Sequence, residues 1–156
     1  MTFQLHEIEA LRDQPNVSGK VLGELLESLR VDDEELAAAV ADICASLDFI
    51  NQEDAIELLD YSIDEHPVVA ASACRLLPLS FGQSPEHDQL VDKALVATLS
   101  NHEEIGVQQQ AAMALSKLNT LTDEAVEALR VAAASEDARL SRLADRALEQ
   151  ARDDAA

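Results

Sequence analysis

Four segments of the chain align without gaps and recur at a nearly regular spacing, and this periodicity constrains the fold more than any other feature. They are Ala41-Asp42-Ile43-Cys44-Ala45, Ala73-Cys74-Arg75-Leu76-Leu77, Ala111-Ala112-Met113-Ala114-Leu115 and Ala144-Asp145-Arg146-Ala147-Leu148. Their leading alanines stand at 41, 73, 111 and 144, so the spacings are 32, 38 and 33 residues. Four residues before each lies another apolar residue: Ala37, Val69, Val107 and Leu140. Apolar side chains at i, i+4, i+7 and i+8 share one face of a helix.

Each of these helices follows another with its own stripe. The stripes are Val21, Leu22, Leu25, Leu26 and Leu29; Ala55, Ile56, Leu59 and Ile63; Leu90, Val91, Ala94, Leu95, Thr98 and Leu99; and Ala125, Val126, Leu129 and Ala132. The pattern predicts an all-α chain of four antiparallel helix pairs, at about 18–49, 51–82, 84–119 and 121–152. A further helix near 3–12, set apart by Gln14-Pro15-Asn16, is expected to cover the apolar side of the first pair. The tail 153–156 is expected to fray, leaving one domain over 1–152. No pair can bury its stripe alone, so stacking into an α-solenoid with one continuous core is the expected solution.

Start and stop signals fall where these helices need them. Ser18, Asn51 (with Asp54 at N3), Ser84 before Pro85, and Thr122 before Asp123 and Glu124 read as N-caps. Asn101, with Glu104 three residues on, reads as a variant capping box. Pro67 suits the first position of its helix, and Pro78 is expected to kink or end that helix. Four Gly and four Pro are too few for a many-turned β protein.

Charge narrows the partners. Asp and Glu number 31 against 11 Lys and Arg, a net charge of −20, and Lys20, Lys93 and Lys117 are the only lysines. Nucleic-acid binding depends on Lys and Arg displacing counterions from phosphates, so nucleic acid is not expected, and neither is an anionic membrane. A salt-rich cytoplasm or a basic protein partner would each account for the acidity, and its spread over the whole chain favours the first. No apolar run approaches the ~18 residues of a membrane span. Met1 to Glu7 lack the basic and apolar regions of a secretion signal, so a cytoplasmic protein is expected. Cys44 and Cys74 sit within apolar helical patterns and read as small buried hydrophobes in a reducing compartment.

The second helices resemble the HEAT-repeat family, particularly its short microbial repeats, whose second helix reads like Asp-x-x-Val-Arg-x-x-Ala-Ala-x-Ala-Leu. Residues 105–115, Ile-Gly-Val-Gln-Gln-Gln-Ala-Ala-Met-Ala-Leu, are close to that pattern. Residues 139–148 and 66–73 are fair matches, and the first copy is degenerate. The resemblance covers about 18–152 and implies a stack of helix pairs acting as a protein-binding scaffold. The family's Arg after Val is replaced by Ala38, Ala70, Gln108 and Ser141, so the resemblance does not extend to an Asp–Arg ladder between repeats.

No catalytic, cofactor or metal residues are assigned. His6-Glu7 and His102-Glu103 invite comparison with iron-binding HEAT-repeat hydroxylases, but the four His are scattered over different helices. A metal-dependent HEAT-repeat enzyme is therefore only a remote alternative. No nucleophile elbow, P-loop, Cys-x-x-Cys or Gly-rich fingerprint occurs. One row of positions on the second helices, opposite their core stripe, is poor in carboxylates. Its candidate partner-binding residues are Ile43, Arg75, Gln109, Met113, Arg142 and Arg146. A non-catalytic module binding a partner helix or peptide there, on the concave face, is the expected function. An acidic inhibitor or immunity-type protein that neutralises a basic partner is the alternative.

Overall fold

The computed structural model describes residues 5–11 and 18–155. Among these the chain is all helical: α1 Leu5–Leu11, α2 Gly19–Ser28, α3 Glu34–Ser46, α4 Gln52–Tyr61, α5 Pro67–Leu76, α6 Pro85–Asn101, α7 Ile105–Ser116, α8 Asp123–Ala133 and α9 Ala138–Ala155. The expected separator Gln14-Pro15-Asn16 lies outside the described residues. No helix is long and apolar enough to cross a membrane among the described residues. α9 contains neither Gly nor Pro, and it continues through the segment expected to fray, as far as Ala155.

The helices pack in two sequences. α2 lies against α4, α4 against α6 and α6 against α8; α3 lies against α5, α5 against α7 and α7 against α9. Within each hairpin, α2 meets α3, α4 meets α5, α6 meets α7 and α8 meets α9, while α1 packs on α3. The core runs unbroken between the two sequences. Leu22, Leu25, Leu26, Leu58, Leu76, Leu95, Leu115 and Leu129 are fully buried in it. Each such leucine contributes about 1.5–3 kcal/mol relative to exposure. α2 and α4 approach closely because α2 carries glycine at 19 and 23. A Cβ on Gly19 would lie 2.7 Å from the Asp54 carbonyl oxygen.

Most helix starts are capped as the sequence suggests. Ser18, Asn51, Ser84 and Thr122 each accept a backbone N–H from the first turn. The exception is Asn101. It is absorbed into the last turn of α6, and α7 begins only at Ile105 after Glu104, whose side chain makes no capping bond. His102 takes over the organisation of that loop. Its Nδ1 accepts from the Glu104 N–H at 3.1 Å, and its Nε2 lies 3.0 Å from the Asp64 carbonyl, an arrangement that fits a proton on Nε2. Asp54 also departs from expectation: its Oδ1 accepts from the Gly19 N–H at 3.0 Å, tying α4 to the start of α2. Pro78 lies in a 3-10 turn, Leu77–Ser80, where α5 has stopped at Leu76.

Along one edge the loops within hairpins and the helix turns beside them are tied to neighbouring hairpins. Arg30 donates to Asp64, Tyr61 Oη donates to Glu27 at 2.9 Å, and Gln109 donates to Asp137 at 2.9 Å. The loops between hairpins form the other edge. There Gln83 Nε2 donates to the Ile50 carbonyl at 2.7 Å, and its Oε1 accepts from the Gln52 N–H at 3.0 Å. Asp92, buried on α6, accepts from both the N–H and the hydroxyl of Thr122 at 3.1 and 2.6 Å.

Candidate functional site

Of the six residues singled out by the repeat register, five reach the surface and one does not. Ile43 is the correction. It is only 1% exposed and belongs to the core, whereas Ala41, expected to face inward, is exposed. The core positions of the second helices are 36, 40 and 43; 69, 73 and 76; 107, 111 and 114; and 140, 144 and 147, all buried. The first copy is therefore shifted by one residue, and 36 to 69 is a spacing of 33. The physical reason is local. Leu36 to Ala41 and Ile43 to Ala45 are apolar nearly throughout, so either register offers an apolar stripe. The helix buries Leu36, Val40 and Ile43, which remove more area from water than the alanines beside them. The row then passes through Ala38 and Asp42 on α3, and Asp42 brings a carboxylate into it.

Arg75, Arg142 and Arg146 are exposed and form no ion pair with another described residue. Met113 is half-buried on α7. Gln109 is half-buried and engaged, because its amide donates to Asp137 and so ties α7 to the loop before α9. Asp137 also accepts from the Leu140 N–H at 2.8 Å, and these bonds, the backbone one foremost, hold its carboxyl below the usual range.

Of the six, only Arg75 lines the groove between α3, α5 and the start of α7, which has a volume of about 550 Å3. Its floor and walls include Ala37, Ala38 and Ala41 from α3, and Val68, Ala71 and Ser72 from α5. Gly106 and Gln110 of α7 close one side, and among the described residues Arg75 and Glu104 are its only charged lining. Small side chains on α3 and α5 leave this space open. The sequence signal for it is the run Ala37-Ala38-Ala39 followed by Ala41, which core stripes alone do not explain.

The groove lies beside the edge built from the loops within hairpins. Glu34 and Glu35 open α3, Glu65 precedes α5, and Glu103 and Glu104 precede α7; all five are exposed. Val68 and Ile105, 46% and 42% exposed, stand among them. Cys44 lines the groove, but burial pushes its thiol up to about 11 despite Arg75 nearby. Burial also pushes Cys74 up to about 12. Burial thus disfavours the thiolate, the reactive form, at both positions. His87 is buried, with Nε2 2.8 Å from the Ser80 hydroxyl, and burial lowers its pKa. Among the described residues no three His, Cys, Asp or Glu side chains are grouped to hold a metal ion.

No family model and no curated protein matches the chain. Among solved structures it is similar to a crystal structure of an engineered protein from a structural genomics consortium, at 20% identity and a TM-score of 0.54. The match covers 97% of this chain and 80% of the other. At that identity the likeness is one of fold alone.

Proposed function

We propose that the chain is a non-catalytic protein-binding module, an α-solenoid of the HEAT type whose second helices offer a groove to a partner helix or peptide in a salt-rich cytoplasm. The order of packing, first helix on first helix and second on second, supports the solenoid reading. The observation that carries the binding role is the groove. In a chain with 31 acids, one acid and one base are its only charged lining among the described residues, and the rest are small or apolar for the most part. Apolar concavities of this kind suit a helix face.

Affinity capture from native lysate tests the reading, with wild type compared against Ala38→Gln plus Ala71→Gln. Both changes fill the groove without altering charge. A partner held by the wild type and lost by a double variant that melts normally supports the proposal. A variant that keeps every partner moves the binding face elsewhere. The acidic-inhibitor reading is favoured by the exposed carboxylates beside the groove. It requires an affinity that collapses between dilute and molar salt. The remote enzyme reading would need stoichiometric metal in the purified protein.

A further inference from the structure

We infer that the occupant of the groove is a basic amphipathic helix of another protein, seated with its cationic end at the loop edge and an acidic group at Arg75. The inference rests on the protein-binding reading above and adds the chemistry and polarity of the partner. Three observations meet at one place. The first is shape: alanines of α3 and α5 leave a trough wide enough for aliphatic side chains. The second is the carboxylate edge at one end of the trough, where Glu34, Glu65, Glu103 and Glu104 are exposed and form no ion pair with another described residue. The third is Arg75 further along α5, an exposed cation without an ion pair among the described residues.

Among the described lining residues the charge therefore changes sign along the trough, from Glu104 to Arg75, with Asp42 of α3 outside the lining. From Pro67 to Arg75 α5 advances eight residues, about 12 Å at ~1.5 Å per residue. A partner helix needs slightly more than two turns to span it, with apolar residues at i, i+3, i+4 and i+7 facing the alanines. Lys or Arg at one end would meet the glutamates, and Asp or Glu at the other would meet Arg75. A uniformly acidic helix gains the apolar contact but is repelled by the edge, and a neutral one gains the contact without the attraction. A basic chain without an apolar face gains only screened, long-range attraction.

The test uses the full chain and three labelled synthetic peptides of about four helical turns. The first carries the apolar face with lysines at one end and a glutamate at the other. The second has the same composition scrambled so that no apolar face forms. The third keeps the face and exchanges every Lys for Glu and every Glu for Lys. The first should bind at least about tenfold more tightly than either control. Ala71→Gln, and separately the exposed-site change Ala38→Gln, should weaken it about tenfold without changing the salt dependence. Glu34→Gln with Glu65→Gln, Glu103→Gln and Glu104→Gln should weaken it severalfold and flatten the salt dependence. Equal binding of the scrambled peptide, equal binding of the charge-reversed peptide, or indifference to both groove changes would each overturn the inference. So would failure of all three peptides to bind, a result that leaves the wider protein-binding reading to the lysate capture.

Discussion

At the edge formed by loops 47–51, 77–84 and 117–122 several polar side chains are bonded between neighbouring hairpins, whereas at the edge formed by 29–33, 62–66, 102–104 and 134–137 many carboxylates face water. The first edge spends its amides and its buried Asp92 on bonds between neighbouring hairpins. The second makes ties through Arg30, His102 and Gln109, yet Glu34, Glu35, Glu65, Glu103 and Glu104 remain exposed. Both edges are polar, but the exposed carboxylates gather at the second, with Asp48 the one acidic residue in the loops of the first. Buried polar groups cost stability unless they are paired, so their partners are not exchangeable. Exposed carboxylates carry no such constraint and are free to vary or to serve recognition.

The largest expected effect of breaking this contrast is at Asp92. Asp92→Ala removes the acceptor for both the N–H and the hydroxyl of Thr122, the residue that caps α8. The loss should be about 2–3 kcal/mol, or roughly 5–10 °C in Tm, read by circular dichroism. Gly19→Ala should come next. The new Cβ meets the Asp54 backbone, which cannot swing aside, at a cost of about 1–3 kcal/mol. Gly23→Ala is the control, because the atom in its way is the end of the flexible Glu57 side chain. It should be nearly neutral in the same melts.

Arg30→Gln should cost less, about 0.5–1 kcal/mol, because the guanidinium and the Glu27 carboxylate are both more than a third exposed and are screened. Hydrogen bonds from Arg30, the largest cause in each case, hold Glu27 and Asp64 below their ordinary 4.5 and 3.8. Folding lowers these pKa values, so the stabilisation is whole above the ordinary values and is lost as pH falls through the folded ones. The difference in Tm between wild type and Arg30→Gln should accordingly be constant near neutrality and shrink below about pH 4. A gap that stays constant to pH 2 would show that the network contributes through packing alone.

The smallest effect is expected at the outward edge. Changing Glu34, Glu65, Glu103 and Glu104 together to Gln reduces self-repulsion in a chain of net charge −20. Its Tm in dilute buffer should equal or slightly exceed that of the wild type, and rise less steeply toward molar salt. A loss as large as that of Asp92→Ala would abolish the distinction between the two edges.

Helix content and the alternation of first and second helices were legible because Leu and Val at helical spacing leave little choice of face. The register of α3 was not, since its alanines are apolar on every side and only burial of Leu36, Val40 and Ile43 decides between neighbours. Asn101 misled for a related reason: a good capping residue is equally tolerated in a last turn when the helix has more apolar surface to bury. The groove was partly legible through Arg75 alone. Its shape comes from small side chains of α3 and α5 meeting across the space between the helices, which no single stripe reveals. The polar ties were hidden because each joins residues far apart in sequence: Asp54 to Gly19 across 35 positions, Asp92 to Thr122 across 30, Gln83 to Ile50 across 33.

Those separations have a mechanical meaning. Arg30 to Asp64 spans 34 positions, Thr98 to the Ser62 carbonyl 36 and Gln109 to Asp137 28, so each of these bonds reaches one neighbouring hairpin and no further. None of these bonds carries strain directly from one joint to a distant one. Loosening can begin at a terminus and advance hairpin by hairpin, with amide hydrogens nearest the ends exchanging first and those of α5 and α6 last. Refolding needs no distant ends to find each other, because every closure brings together segments about one hairpin apart. A molecule tied this way behaves less like a sealed box than like a short chain of hinges, each able to flex a little without opening the next.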